Sequence, residues 1–237
     1  MHMTTKRQAR LLLFLFALLA LPAWADDEPD VIYWNSAAGK VLRSHIPADA
    51  DYWQLSPTFA EQVTQSYCSV ASAITVLNAM AIKKPVDPRY APYAYFTQTN
   101  YFSPAVSRII SPETVLHMGM TREQLTQTLV ANGAQANSLA GDTLTDDSLR
   151  ALLQKALGDD GQFVLANYLR ASLGQIGYGH WSVLAAYDAQ SDRVLILDVA
   201  KYKYPPEWVR LPALQKALAT LDSTSGKSRG LVLVSSP

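Results

Sequence analysis

Cysteine is almost missing from this sequence: of 237 residues, Cys68 is the only one. A single thiol excludes an intramolecular disulfide framework, and there is no Cys-x-x-Cys pair. No His-Glu-x-x-His run occurs, and the four histidines (His2, His45, His117, His180) are scattered, so no metal ligand set is readable. A surplus of either charge is missing too. Twenty Lys and Arg cancel twenty Asp and Glu, which leaves neither a basic footprint for nucleic acid nor an acidic tail. Internal repeats and low-complexity stretches are absent. The length and the 49% hydrophobic content fit one globular domain with a sizeable core.

The apolar run at 11–21 is too short for an ordinary spanning helix. It follows Lys6, Arg7 and Arg10 and precedes Ala23-Trp24-Ala25, the pattern of a secretory signal peptide with a small-x-small cleavage site. The expectation is a leader over 1–25, one domain over 26–237, and an exported, periplasmic protein without a stable membrane anchor after cleavage.

What is present is organised around residues 62–80. Beyond Cys68 this stretch is small or aliphatic, with no Pro, Gly or charge, which predicts a helix buried nearly all round. Cys68 falls in its first turn, where free backbone amides and the helix dipole favour a thiolate. On the helix alone, such a cysteine reads first as a small core residue, and the rest of the chain shifts that balance. Gln62 lies in the loop feeding the helix, placed to donate to an oxyanion beside Cys68.

Further on, Thr121 and Gln124 form a capping box for a helix with Leu125, Leu129 and Val130 inward and Gly133 at its end. Thr145 opens a second helix with Leu149, Leu152, Leu153 and Leu157 inward. His117 reads as a packed core histidine and His45 as a surface residue. The tyrosine-rich and proline-rich segment 83–101 reads as irregular and packed by its aromatics. The pattern then changes to strands over 162–168, 180–188, 193–200 and 230–235, with a helix over 211–221. Helices first and antiparallel strands second predict an α+β fold.

A turn near 189–192 makes 180–188 and 193–200 a hairpin. Pairs whose numbers sum to 378 then face each other, which sets His180 against Asp198. A carboxylate beside an imidazole stabilises its protonated form, so the ring can take a thiol proton and return it to a leaving amine. The chain order Gln62, Cys68, His180, Asp198 is that of papain-like thiol enzymes.

Several stretches resemble phytochelatin synthases, in the short bacterial form without a cysteine-rich C-terminal half. They are Gln62 to Cys68 with Val76-Leu77-Asn78, Phe96-Thr97-Gln98 with Asn100 and Phe102, and Asn167-Tyr168-Leu169-Arg170 with Gly179-His180. Later come Ile196-Leu197-Asp198-Val199-Ala200, Lys203-Tyr204-Pro205-Pro206 with Trp208, and Asp222 with Ser228-Arg229-Gly230. The resemblance spans about residues 50–235. It implies a papain-like fold with a buried nucleophile helix and a C-terminal antiparallel sheet, a Cys68-His180-Asp198 triad, and Gln62 in the oxyanion hole. It also implies attack by Cys68 on the Cys-Gly amide of glutathione, with release of glycine. The γ-glutamylcysteinyl thioester is then hydrolysed or passed to a second glutathione to give phytochelatin. Asp222 and Arg229 correspond to the pair that holds the γ-glutamyl ammonium and carboxylate.

Lys201 stands where plant members have an arginine tied to the second substrate; lysine keeps the charge and loses the fork. Ser69 replaces the family's usual Gly, and Val183 a usual Pro. No cofactor is implied as required; a heavy metal ion such as Cd²⁺ or Zn²⁺ enters as the metal-thiolate form of the substrate. A homodimer is suggested by the resemblance, not by the residues. The competing readings are a secreted thiol peptidase, such as a bacteriocin-leader peptidase with the same Gln-x5-Cys spacing, and a non-catalytic binder of thiols or metal thiolates.

Overall fold

The computed structural model describes residues 28–158 and 161–237. The predicted leader at 1–25 lies outside the described residues. Eight helices occur among those residues: α1 Ala37–Arg43, α2 Tyr52–Leu55, α3 Cys68–Ala79, α4 Pro104–Ser107, α5 Pro112–Met118, α6 Arg122–Ala131, α7 Asp146–Ala156 and α8 Leu211–Leu218. The strands are β1 Val31–Tyr33, β2 Gln135–Ala140, β3 Gln162–Leu169, β4 Gly179–Asp188, β5 Arg193–Leu197, β6 Glu207–Arg210, β7 Leu221–Asp222, β8 Lys227–Ser228 and β9 Gly230–Ser235. One antiparallel sheet runs β1-β6-β5-β4-β3-β9-β2, and β7 pairs with β8 in a small ribbon.

The mixed α+β expectation is met, but the order is not helices first and strands second. β1 precedes every helix and β2 lies between α6 and α7, and these two strands form the two edges of the sheet. β2 has no β-branched residue; its pairing with β9 makes it a strand. Both faces of the sheet are covered. Trp181, Val183 and Leu165 belong to the core with α3 and α6, while Val164, Leu184 and Ile196 belong to the core with α7 and α8. Strands buried on both sides carry continuous apolar runs, as β4 does over 183–187 and β5 over 194–197.

The helix over α3 is buried at every residue from 68 to 78. Its polar members need partners. Asn78 Nδ2 donates to the Phe96 carbonyl, Phe96 N–H donates back to Oδ1, and Thr75 Oγ1 donates to the Ala71 carbonyl. The capping box at Thr121 and Gln124 forms. Thr145 likewise caps α7, with Leu149 and Leu153 buried.

Four local expectations fail, each for a physical reason. Val130 is 53% exposed because α6 buries only one flank, through Leu125 and Leu129. His117 is not packed: its side chain is 66% exposed in the last turn of α5 and lies 3.6 Å from Glu113 Oε1, one helical turn earlier. In the segment 83–101, Phe96 and Tyr101 are buried but Tyr90, Tyr93 and Tyr95 stay exposed. Buried Asp87 holds that segment, accepting from Arg89 and Thr97. The last helix ends at Leu218, and Leu221 and Asp222 turn into the β7–β8 ribbon.

Candidate active site

Cys68 is the first residue of α3, so the helix presents unpaired N–H groups around the sulfur. The thiol is 7% exposed. Burial pushes its pKa up, but the hydrogen bond and charge of His180, with backbone N–H donors at Trp181 and Ser69, outweigh that and leave it below an ordinary thiol. His180 is the second residue of β4 and 5% exposed. Burial pushes the imidazole pKa down; Asp198 and the Cys68 sulfur together carry it above the usual histidine value. Opposed shifts of this kind favour a thiolate–imidazolium pair.

His180 Nε2 lies 2.9 Å from Asp198 Oδ1, which leaves Nδ1 as the nitrogen for the sulfur. The expected register is off by two. Val183 pairs with Leu197, so paired numbers sum to 380 there and to 381 beyond the irregularity between Leu184 and Ala186. The bulge adds a residue to β4, β5 ends at Leu197, and the imidazole meets Asp198 diagonally.

Asp198 has no exposure. Burial pushes its pKa up, and His180, Arg170 and the Ala200 N–H hold it below the usual carboxylate range. Arg170 is itself buried, with Nη2 2.7 Å from Asp198 Oδ2. Its Nη1 donates to Gln175 Oε1, and Gln175 Nε2 donates to Glu207. Glu207 is wholly buried, and burial plus the nearby Asp198 push its pKa up to about 8. The Arg170 guanidinium lies against the rings of Tyr204 and Tyr168. Arg170 and Glu207 lie within or beside the stretches at 167–170 and 203–208; the sequence assigns them no role, because a buried partner of Asp198 shows only in three dimensions.

Two cavities meet at Tyr178 and Gly179. The smaller, about 160 Å³, is lined by Cys68, Met120, Asn167, Trp181, Asp222 and Arg229 among others. Arg229 Nη1 donates to Asn167 Oδ1 at 2.9 Å, and Nη2 lies 3.7 Å from Asp222 Oδ1. Its Nε is buried with no hydrogen-bond partner among the described residues. Burial draws the guanidinium pKa below its ordinary value despite Asp222. A Cβ at Gly179 would collide with this guanidinium, so glycine there leaves the space that Arg229 occupies. The larger cavity, about 260 Å³, is lined by Gln62, Arg170, His180, Tyr202 and Lys203 among others.

Gln62 is 4% exposed; its N–H donates to the Val199 carbonyl, and its Nε2 lies 2.7 Å from Tyr202 Oη. Lys201 is not brought into either cavity. Its Nζ donates to the Phe59 carbonyl and sits 3.8 Å from the Phe59 ring centre, while Lys203, two residues on, lines the larger cavity. Among the described residues, no three His, Cys, Asp or Glu side chains gather where they could hold a metal ion.

A family model described as phytochelatin synthase matches residues 27–231. The chain belongs to the phytochelatin synthase family. Curated relatives include glutathione gamma-glutamylcysteinyltransferase 1 of Arabidopsis thaliana, 30% identical over 225 residues that make up 93% of this chain and 45% of that protein. The Triticum aestivum protein of the same name is 31% identical over 87% of this chain and 41% of its own length. The Schizosaccharomyces pombe glutathione gamma-glutamylcysteinyltransferase is 24% identical over 78% and 43%. The chain thus spans less than half the length of these relatives. Among solved structures, a double glycine motif protease from an AMS/PCAT transporter, in complex with its leader peptide, aligns over 75% of this chain and 89% of that one. The TM-score is 0.40 at 13% identity, a likeness that carries no argument.

Proposed function

We propose that this family member is a glutathione γ-glutamylcysteinyltransferase and peptidase on a papain-like fold, with Cys68, His180 and Asp198 as its triad. The observation that supports this best is a conjunction: a thiol at a helix N-terminus, paired with a buried imidazole and carboxylate, opens on a cavity holding one cation and one anion. The γ-glutamyl end of glutathione is a zwitterion. Its carboxylate suits Arg229 with the unpartnered Nε, and its ammonium suits Asp222.

In this reading Cys68 Sγ attacks the carbonyl carbon of the Cys-Gly amide as a thiolate. Gln62 and backbone N–H groups of the α3 N-terminus stabilise the oxyanion. The C–N bond breaks, the proton on His180 passes to the departing glycine amine, and γ-glutamylcysteine stays as a thioester on sulfur. His180 then takes a proton from water, which frees γ-glutamylcysteine, or from the α-amine of a second glutathione, which forms a new peptide bond and lengthens the product. The larger cavity, lined by His180, Lys203 and Arg170 and not by Arg229, suits the leaving glycine and the incoming acceptor. Lys201 is assigned no direct contact with either. Cd²⁺ or Zn²⁺ enters as a thiolate complex of the substrate, and residues 1–25 direct export.

Incubation of residues 26–237 with glutathione, with and without Cd²⁺, tests the reading by mass spectrometry. Free glycine and γ-glutamylcysteine are expected, and (γ-Glu-Cys)₂-Gly wherever glutathione outcompetes water. A folded protein with a titratable thiol that releases no glycine contradicts it and favours a peptide-specific or a binding protein.

A further inference from the structure

The segment after β5 serves both halves of the site. Asp198 holds His180, the Val199 carbonyl accepts from the Gln62 N–H, and Tyr202 reaches the Gln62 side chain. That last contact is informative because of what it leaves undone. Gln62 Nε2 is placed on Tyr202 Oη, and Gln62 Oε1 is buried with no hydrogen-bond partner. The two ends of a side-chain amide have nearly the same shape, so their partners decide which end is which. A phenol both donates and accepts, and 2.7 Å is an ordinary O–H···O distance. With the amide reversed, the Tyr202 hydroxyl donates to Oε1, and the NH₂ group takes the partnerless position, where it is a donor without an acceptor until an oxyanion forms.

We infer that Tyr202 is a positioning residue: its hydroxyl donates to Gln62 Oε1 and so fixes the orientation in which the Gln62 NH₂ is free to donate to the oxyanion. The inference rests on the proposed oxyanion role of Gln62. Tyr202 is 56% exposed, so loss of its hydroxyl leaves the core untouched. In Tyr202→Phe the amide loses its only side-chain hydrogen-bond partner among the described residues and can settle with the oxygen forward, which repels a developing negative charge.

The test is single-turnover acylation of Cys68 by glutathione in Tyr202→Phe, Gln62→Ala and the double variant, with iodoacetamide alkylation of Cys68 alongside. Alkylation forms no oxyanion, so its rate and pH dependence are expected to match the unmodified protein in all three. Tyr202→Phe is expected to slow acylation about tenfold with unchanged KM, and Gln62→Ala to slow it further. The double variant is expected to equal Gln62→Ala, because Tyr202 acts only through that amide. Unchanged acylation in Tyr202→Phe, or a further loss in the double variant, overturns the inference. Full activity in Gln62→Ala instead overturns the oxyanion role beneath it. An activity-independent readout comes from nuclear Overhauser contacts of the Gln62 NH₂ protons. Weak or absent contacts to the Tyr202 ring are expected, and strong ones put nitrogen on the phenol and overturn the orientation.

Discussion

The two cavities beside Cys68 are built on different terms. The one holding Arg229 and Asp222 is small, and its charged groups are buried and bonded in place by Asn167, Thr224 and Ser225. The one holding Lys203 is larger, and its rim carries exposed Tyr178 and Tyr202. On the proposed reading, a fixed pair of charges suits a fixed zwitterion, and a roomier wall with an exposed ammonium suits glycine, water or a second thiol peptide. The contrast would then separate what makes the thioester from what consumes it. Substitutions in the first cavity should therefore abolish turnover, and those in the second should redistribute products.

The largest effect is expected on the first side. Arg229→Ala should lower kcat/KM for glycine release by about a hundredfold to a thousandfold, the scale for losing a charged contact in a closed site. Iodoacetamide alkylation of Cys68 should be unchanged. Gly179→Ala should act the same way by displacing the guanidinium. Normal turnover in Arg229→Ala breaks the comparison.

Arg170 lies behind the second cavity and supports Asp198. Removing one partner of a buried ion pair costs about 3–5 kcal/mol, so Arg170→Met should lose a large part of that in urea denaturation at neutral pH. Asp198 adds a pH dependence of known sign. Its folded pKa is depressed, so its stabilisation is present above the ordinary carboxylate pKa and is lost as pH falls through the folded value.

Glu207 works in the opposite sense. Its pKa is raised to about 8 from an ordinary 4.5, so its contribution is full below the ordinary value and declines as pH rises toward 8. The slope is about 1.4 kcal/mol per pH unit in that window. Glu207→Gln should flatten the dependence and raise the melting temperature at pH 8 relative to the unmodified protein. An unchanged slope would show that Glu207 is already ionised in the fold.

Cys68 and His180 predict a bell. The alkylation rate should rise with pH through a value below the ordinary thiol, and Asp198→Asn should move that inflection upward. Turnover should fall again above the raised imidazole pKa, where the general acid is lost. The smallest effect sharpens the comparison most. Lys203→Ala should leave glycine release within about threefold and lower the share of transfer over hydrolysis, the scale of one exposed charge.

The sequence made local devices legible and left pairings hidden. Thr121 and Gln124 signal α6 because a capping box is complete within four residues. Cys68 at the head of an uncharged apolar run signals a buried helix. The β4–β5 hairpin is readable, but its register is not, since the irregularity near Ala185 falls in the apolar run 183–187 and leaves no mark there. β2 was missed because Gln, Asn and Ser at an edge carry no strand preference, and β6 because Pro205-Pro206 masked the four residues that follow. At the site, the fold brings together Cys68, His180 and Asp198, which spacing and chain order mark out, sets Asp222 and Arg229, which the resemblance marks out, around the cavity beside Cys68, and puts Gln62 in the wall of the neighbouring one. Lys201, which the resemblance ties to the second substrate, turns to Phe59 while Lys203 lines the larger cavity; which way two side chains leave one turn is not written in the sequence.

The most direct test of the central claim is the intact mass of the protein after rapid mixing with glutathione and an acid quench. The account predicts one γ-glutamylcysteinyl group per chain, localised to Cys68 by peptide mapping, with one equivalent of glycine released and neither event in Cys68→Ala. Glycine release by Cys68→Ala, or an adduct on any other residue, would contradict it.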